Sequence, residues 1–415
     1  MIRALAVSLG GYGLSAVVFI LFSIFFVRTY GAESYGAFSI LLSTVSALTL
    51  FGNYHGSLVS FSAAVERRAF FRMSRVVFIY SLVMGAVSGL VLGSIGKMEV
   101  ILTAPAIIAF VLLVGAGMPA AALLATPSNW WVNLARAVYQ SLLIVAFWFF
   151  FEITGHVGRA FAFSLLLAAA VYFGLLALRV RLPDGPTTAK AAPPGVLMLS
   201  LTWNLAVMGI VLLDKVAIRF LEIGSSATDI GIYLLYFDIA GRLSAIYAIA
   251  LGTFTYELLR RLRVGGSVFR LLAIGSVACG GVGILGYAVG VWVIPPAYGF
   301  RLETAGWLPL VTGVFLVVVG FSSLLLAYCN ATGRNKFLVC HYAIVLTAAV
   351  GTLLVRYLIF GTVTVLELAI ALTVGHAFTL LSAFLVWRGS MRDRLERKSE
   401  GAPDTALALR PAAQI

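Results

Sequence analysis

Again and again the chain runs for about twenty residues or more without a charged side chain, the length needed to cross the ~30 Å hydrocarbon core of a bilayer as a helix. Val7 to Val27 is the first such run and Gly36 to Ala63 the next. Lipid offers no partner to a free backbone N–H or C=O, so a spanning segment must satisfy its own, and only α-helices and closed β-barrels do. These runs lack the two-residue alternation of barrel strands and are far longer than one. The fold class is therefore all-α polytopic membrane protein. Composition enters as a check: with 61% hydrophobic and 11% charged residues over 415 positions, too few polar side chains remain to coat a soluble globule.

Runs and breaks place spans at Val7–Val27, Gly36–Ala63, Val76–Ile95, Val100–Ala125, Ala137–Phe151 and Arg159–Leu178. A second set falls at Val196–Arg219, Gly231–Glu257, Leu271–Ile294, Trp307–Asn330, Phe337–Tyr357 and Val365–Trp387. The expectation is about twelve helices in two six-helix lobes, residues 1–178 and 196–387, around a central cavity. Between them RVRLPDGPTTAKAAPPG, residues 179–195, has the proline, glycine and charge of an exposed linker. Residues 388–415 form a basic tail. The first run is too long for a typical signal-peptide core and leads into Arg28 and another apolar run, so it reads as the first span.

Lys and Arg set the orientation. Arg67, Arg68, Arg72 and Arg75 share one side with Arg260, Arg261, Arg263 and Arg270 and with the Arg-rich tail. The other side holds Arg28, Lys97, Arg159, Arg219, Arg301 and Arg356. Both termini are expected in the cytoplasm. A net charge of +13 is then accounted for by loops that meet anionic headgroups, with no nucleic-acid partner. Cys279, Cys329 and Cys340 sit in or at the edge of apolar spans without paired spacing, so they read as small hydrophobes, and no metal or cofactor is expected.

The two halves echo one another. The first span ends in Arg28 and the second opens Gly36-Ala37-Phe38; the seventh ends in Arg219 and the eighth opens Gly231-Ile232-Tyr233. In detail the pattern resembles the polysaccharide flippases of the multidrug/oligosaccharidyl-lipid/polysaccharide (MOP) superfamily. Phe25 to Ser43, FFVRTYGAESYGAFSILLS, looks like that family's first hairpin. Leu213-Asp214-Lys215 followed by Gly231-Ile232-Tyr233 is similar to its Asp-Arg/Lys and Gly-x-Tyr pair. Pro296-Ala297-Tyr298-Gly299 and Asn330-Ala331-Thr332-Gly333-Arg334 fit its loops. Where many members carry an acidic residue in the second span, this chain has Phe51-Gly52-Asn53-Tyr54-His55-Gly56.

The resemblance implies a multi-pass protein of the bacterial inner membrane. Its substrate would be an undecaprenyl-pyrophosphate-linked oligosaccharide, moved from the cytoplasmic to the periplasmic leaflet for O-antigen, capsule or exopolysaccharide synthesis. Its partners would be membrane lipids and the polymerase and chain-length proteins of the pathway. Sugar and pyrophosphate cannot cross hydrocarbon unaided, so such a protein needs a polar cavity with cations for the phosphates.

Charges inside spans are the candidates. Asp238 and Arg242 lie one turn apart in the eighth span and read as a structural pair or as cavity residues. Asp214 and Lys215 are sequence neighbours that project about 100° apart on a helix, so they are not expected to neutralise one another. Arg28 and Arg219 can snorkel at span ends; Arg356 and Glu367 read as a rim pair, with Arg356 also a cavity candidate. His376 and His55, with Asn53, are the candidates for ion coupling, and His341 is the weaker histidine. Asn129-Trp130-Trp131 reads as an aromatic anchor on a cytoplasmic loop.

Two other functions compete. A drug or organic-cation antiporter of the same superfamily would want net acidic cavity residues, whereas the charge inside these spans is mixed. A membrane glycosyltransferase, ligase or polymerase would want carboxylates on large outer loops; the outer loops are short and the chain contains no Asp-x-Asp. The expectation is a non-enzyme.

Overall fold

The computed structural model describes residues 2–48, 78–90, 99–124, 130–179, 209–210, 213–218, 221, 223–262, 268–331 and 336–399. The end of the second span, most of the seventh and linker residues 180–195 lie outside these. The described structure is helical apart from short connections and a parallel bridge between Ile223 and Val363. Among the described residues seven helices are long and apolar enough to cross a membrane, and Phe78–Leu90 and Ala104–Ala120 are shorter apolar ones. The chain divides into two compact units, Met1–Phe220 and Leu221–Ala412.

The first unit begins with α1 (Ile2–Leu48), broken at Gly31. A straight helix would hold Phe22 and Phe38 about 24 Å apart. Their ring centroids are 5.3 Å apart instead, so the chain doubles back at the break. Gly31 makes this possible with φ 85° and ψ 162°, a region that essentially excludes residues with a Cβ. Sequence reasoning placed a loop between Arg28 and Gly36. The helix instead continues past Arg28 to the break, because a single glycine turns the chain.

Next come α2 (Phe78–Leu90), a 3₁₀ turn (Glu99–Leu102), α3 (Ala104–Leu124), α4 (Trp130–Thr154) and α5 (Val157–Ala177). Phe22, Phe26 and Phe38 of α1 interlock with Phe147 and Phe151 of α4, Phe38 and Phe147 at 4.3 Å. This aromatic core joins the two helices. Leu14, Val17, Leu21 and Phe25 form an exposed stripe at helical spacing, as lipid contact requires. The expected loop at Trp130-Trp131 is corrected: both residues open α4, seven positions before the predicted start of the fifth span. Trp131 Nε1 donates to the Leu175 carbonyl at 2.9 Å and the Arg179 guanidinium lies over its ring. The tryptophan thus fastens α4 to the end of α5.

The second unit contains α6 (Ala227–Leu262), α7 (Val268–Trp292), the short α8 (Ile294–Tyr298) and α9 (Leu302–Ala305), α10 (Leu308–Ala331), α11 (Lys336–Phe360), α12 (Val365–Ala377) and α13 (Thr379–Ser399). Helices α7 and α10 meet backbone to backbone. A Cβ on Gly283 would stand 2.2 Å from Val317 Cγ2 and 2.9 Å from the Gly313 carbonyl. Small residues at such a seam substitute dispersion contact for the hydrophobic drive that lipid does not supply. The twelfth span runs as one apolar stretch, Val365–Gly389, with a local irregularity at Phe378, whose N–H is shared between the Val374 and Gly375 carbonyls. Propensity scales see only an apolar run here.

Candidate substrate and ion sites

Asp214 and Lys215 sit in the helical stretch 213–218 of the first unit, 2% and 7% exposed. The expectation that they project apart and leave each other's charge uncompensated is corrected. Lys215 Nζ donates to Asp214 Oδ2 at 2.7 Å, and the Lys215 backbone N–H donates to Oδ1 at 2.9 Å. The four-carbon lysine stem curls back across the 100° separation, a freedom that helical-wheel reasoning ignores. Burial of both groups keeps water from competing for the pair, and each makes further interactions. An ammonium held this way can exchange a carboxylate for another oxyanion without leaving its place.

Asp238 and Arg242 are both half-buried on α6, and neither side chain is free. Arg28 is exposed on the first arm of α1 and is also engaged. Arg219, His55 and Asn53 lie outside the described residues. Arg356 pairs with Glu367 through its Nε, as the rim reading expected, and stacks over Phe360 with its guanidinium carbon 3.4 Å from the ring centroid. Glu367 also closes a capping box with Thr364 at the start of α12. Here the carboxylate accepts the Thr364 backbone N–H at 2.8 Å. Beside it, Gly224 N–H donates to the Val363 carbonyl, and Val365 N–H donates to Ser225 Oγ. These bonds fasten the segment before α6 to the α11–α12 connection.

His376 is buried at the last turn of α12, directly before the Phe378 irregularity. Its Nδ1 is 3.1 Å from Ser322 Oγ of α10, and Ser322 is 2.6 Å from Thr379 Oγ1 of α13. Phe315 closes over the imidazole edge-on at 5.6 Å. His341, the weaker histidine in sequence, belongs to the same buried region: its Nδ1 is 3.0 Å from Ser382 Oγ, one turn after Thr379. Sequence reasoning missed Ser322, Thr379 and Ser382, since an isolated hydroxyl in an apolar run carries no local signal. The nearest hint was the spacing of Thr379 and Ser382 on one helical face after His376.

No family model matches the chain, and no curated protein matches it in sequence. Its fold does match solved structures. An inward-facing multidrug resistance MATE family transporter of the MOP superfamily is 16% identical over 94% of this chain and 96% of its own, with a TM-score of 0.61. The lipid II flippase MurJ, in an inward closed conformation, is 10% identical over 91% of this chain and 86% of its own, with a TM-score of 0.63. A MOP superfamily transporter from Pyrococcus furiosus, described as having a binding pocket of reverse polarity, is 16% identical over 94% and 96%, with a TM-score of 0.53. The chain shares the all-α fold of these solved structures.

Proposed function

We propose that this chain is a flippase for a lipid-linked oligosaccharide, carrying an undecaprenyl-pyrophosphate headgroup from the cytoplasmic to the periplasmic leaflet by alternating access. The observation that carries this reading is the buried Lys215–Asp214 pair. A buried ammonium is costly and is kept where it has a partner or an anionic cargo. Pyrophosphate offers more negative charge than one carboxylate, so it competes with Asp214 for Lys215 while the polyprenyl tail stays in lipid. Arg242, Asp238, Arg28, Arg219 and Arg356 are proposed to assist it, and polymerase and chain-length proteins to receive the product. Likeness in fold to MurJ supports a lipid-linked cargo. Likeness to a MATE transporter supports a second reading, an antiporter of drugs or organic cations, with equal structural agreement.

One assay separates them. Purified protein in proteoliposomes is given a fluorescent lipid-pyrophosphate oligosaccharide, and translocation is read by quenching from outside. The flippase reading expects translocation that Lys215→Ala and Arg242→Ala abolish while the proteins stay folded. Absence of flipping together with gradient-driven efflux of an organic cation would establish the antiporter instead.

A further inference from the structure

The polar network inside the second unit uses none of the groups assigned to the cargo. Two hydrogen-bonded groups lie on α10 to α13: Ser322 joins His376 and Thr379, and Ser382 bonds His341. Both histidines and all three hydroxyl residues are buried. Hydrogen-bond geometry sets the protons. Ser382 Oγ lies 3.4 Å from the Phe378 carbonyl and 3.0 Å from His341 Nδ1; with the hydroxyl given to the carbonyl, the assigned tautomer carries its hydrogen on Nδ1. That tautomer leaves the lone pair on Nε2, which is buried and has no hydrogen-bond partner among the described residues. Buried polar atoms are nearly always partnered, so an orphan imidazole nitrogen is an acceptor held in reserve.

The surroundings decide what it accepts. The titratable or charged residues on helices packed against α11 are Glu367 and His376 of α12, Tyr328 and Cys329 of α10, and on α13 none before Arg388. On α11 itself they are Lys336, Cys340, Tyr342, Arg356 and Tyr357. Glu367 is committed to Arg356 and to its capping box. No described carboxylate faces His341, which disfavours a metal cation, and the donor set of neutral imidazoles and hydroxyls suits a proton. The geometry points to His341 Nε2, on a ring anchored at Nδ1 by Ser382, as a proton-binding site internal to the second unit. Nε2 takes the proton of a hydronium ion admitted from one aqueous side, leaving water, and returns it to water on the other.

A charged imidazolium without a facing carboxylate is costly in the closed packing, so the proton binds better to a conformation that admits water. Differential binding of that kind is what couples an ion gradient to a conformational cycle. The inference rests on the flippase reading for its cargo alone.

The test uses the full chain in nanodiscs with ¹⁵N-labelled histidine, and the same protein in proteoliposomes under an imposed pH gradient. An imidazole signal that disappears in His341→Gln should titrate, and Ser382→Ala should shift that titration. The gradient should accelerate flipping of the lipid-pyrophosphate probe in the native protein and in His156→Gln, a change at the exposed histidine before α5, and lose its effect in His341→Gln. A His341 that stays neutral throughout, or a His341→Gln protein that keeps its gradient response, overturns the site. If the native protein flips no probe, the cargo reading fails, and the titration still decides the proton site.

Discussion

At the scale of single residues, the Asp214–Lys215 pair illustrates why neighbouring opposite charges are hard to interpret from spacing. Backbone geometry aims them about 100° apart, yet a lysine stem is long enough to curve back to an adjacent carboxylate. Removing one partner of a buried ion pair costs about 3 kcal/mol or more, because the other charge loses compensation where water is scarce. Asp214→Asn should therefore lower the thermal unfolding midpoint in detergent by several degrees. The double change Asp214→Asn with Lys215→Met should restore much of that loss, since it removes both charges. Thr364 supports a smaller prediction: Thr364→Ala opens the capping box of α12 and should cost about 1 kcal/mol, read as a modest fall in the same midpoint.

Among the helices, the sequence located α5, α7, α10 and α11 to within a few residues, because each is an apolar run of spanning length. It was less successful where one residue alters the backbone. Gly31 reverses the chain without a loop, and Phe378 makes a local irregularity inside the last span without a glycine, a proline or a charge to announce it. Gly31→Val should be strongly destabilising through its positive φ, although nothing crowds the position. Gly283→Leu should be equally damaging for the opposite reason, with ordinary helical dihedrals but no room. Its side chain would meet Val317 and the Gly313 carbonyl and force α7 from α10. Thermal unfolding of each variant checks both expectations. A Gly283→Ala protein as stable as the native one would show that the seam is looser than its distances imply.

For the whole molecule, orientation is the property with the most direct test. Lys and Arg placement puts the segment after the seventh span outside and the loop after the eighth inside. A reporter enzyme fused after Ser225 should be active in the periplasm, and one fused after Arg263 in the cytoplasm. The reverse result would invert the direction assigned to transport. Membrane residence and an all-helical fold were legible from residues 7–27 and 36–63 alone, since runs without charge have no other stable arrangement in lipid. The candidate site was legible only in part. Charged residues inside apolar spans stand out by their cost, so Asp214, Lys215, Asp238, Arg242 and His376 could be named from the sequence. What only the tertiary structure decided is which of them meet. The closure of Lys215 on Asp214 and the gathering of Ser322, His341, His376, Thr379 and Ser382 from four helices depend on side-chain reach and helix packing. Neither leaves a periodicity in the chain, because residues far apart in sequence are brought together by contacts that no local pattern encodes.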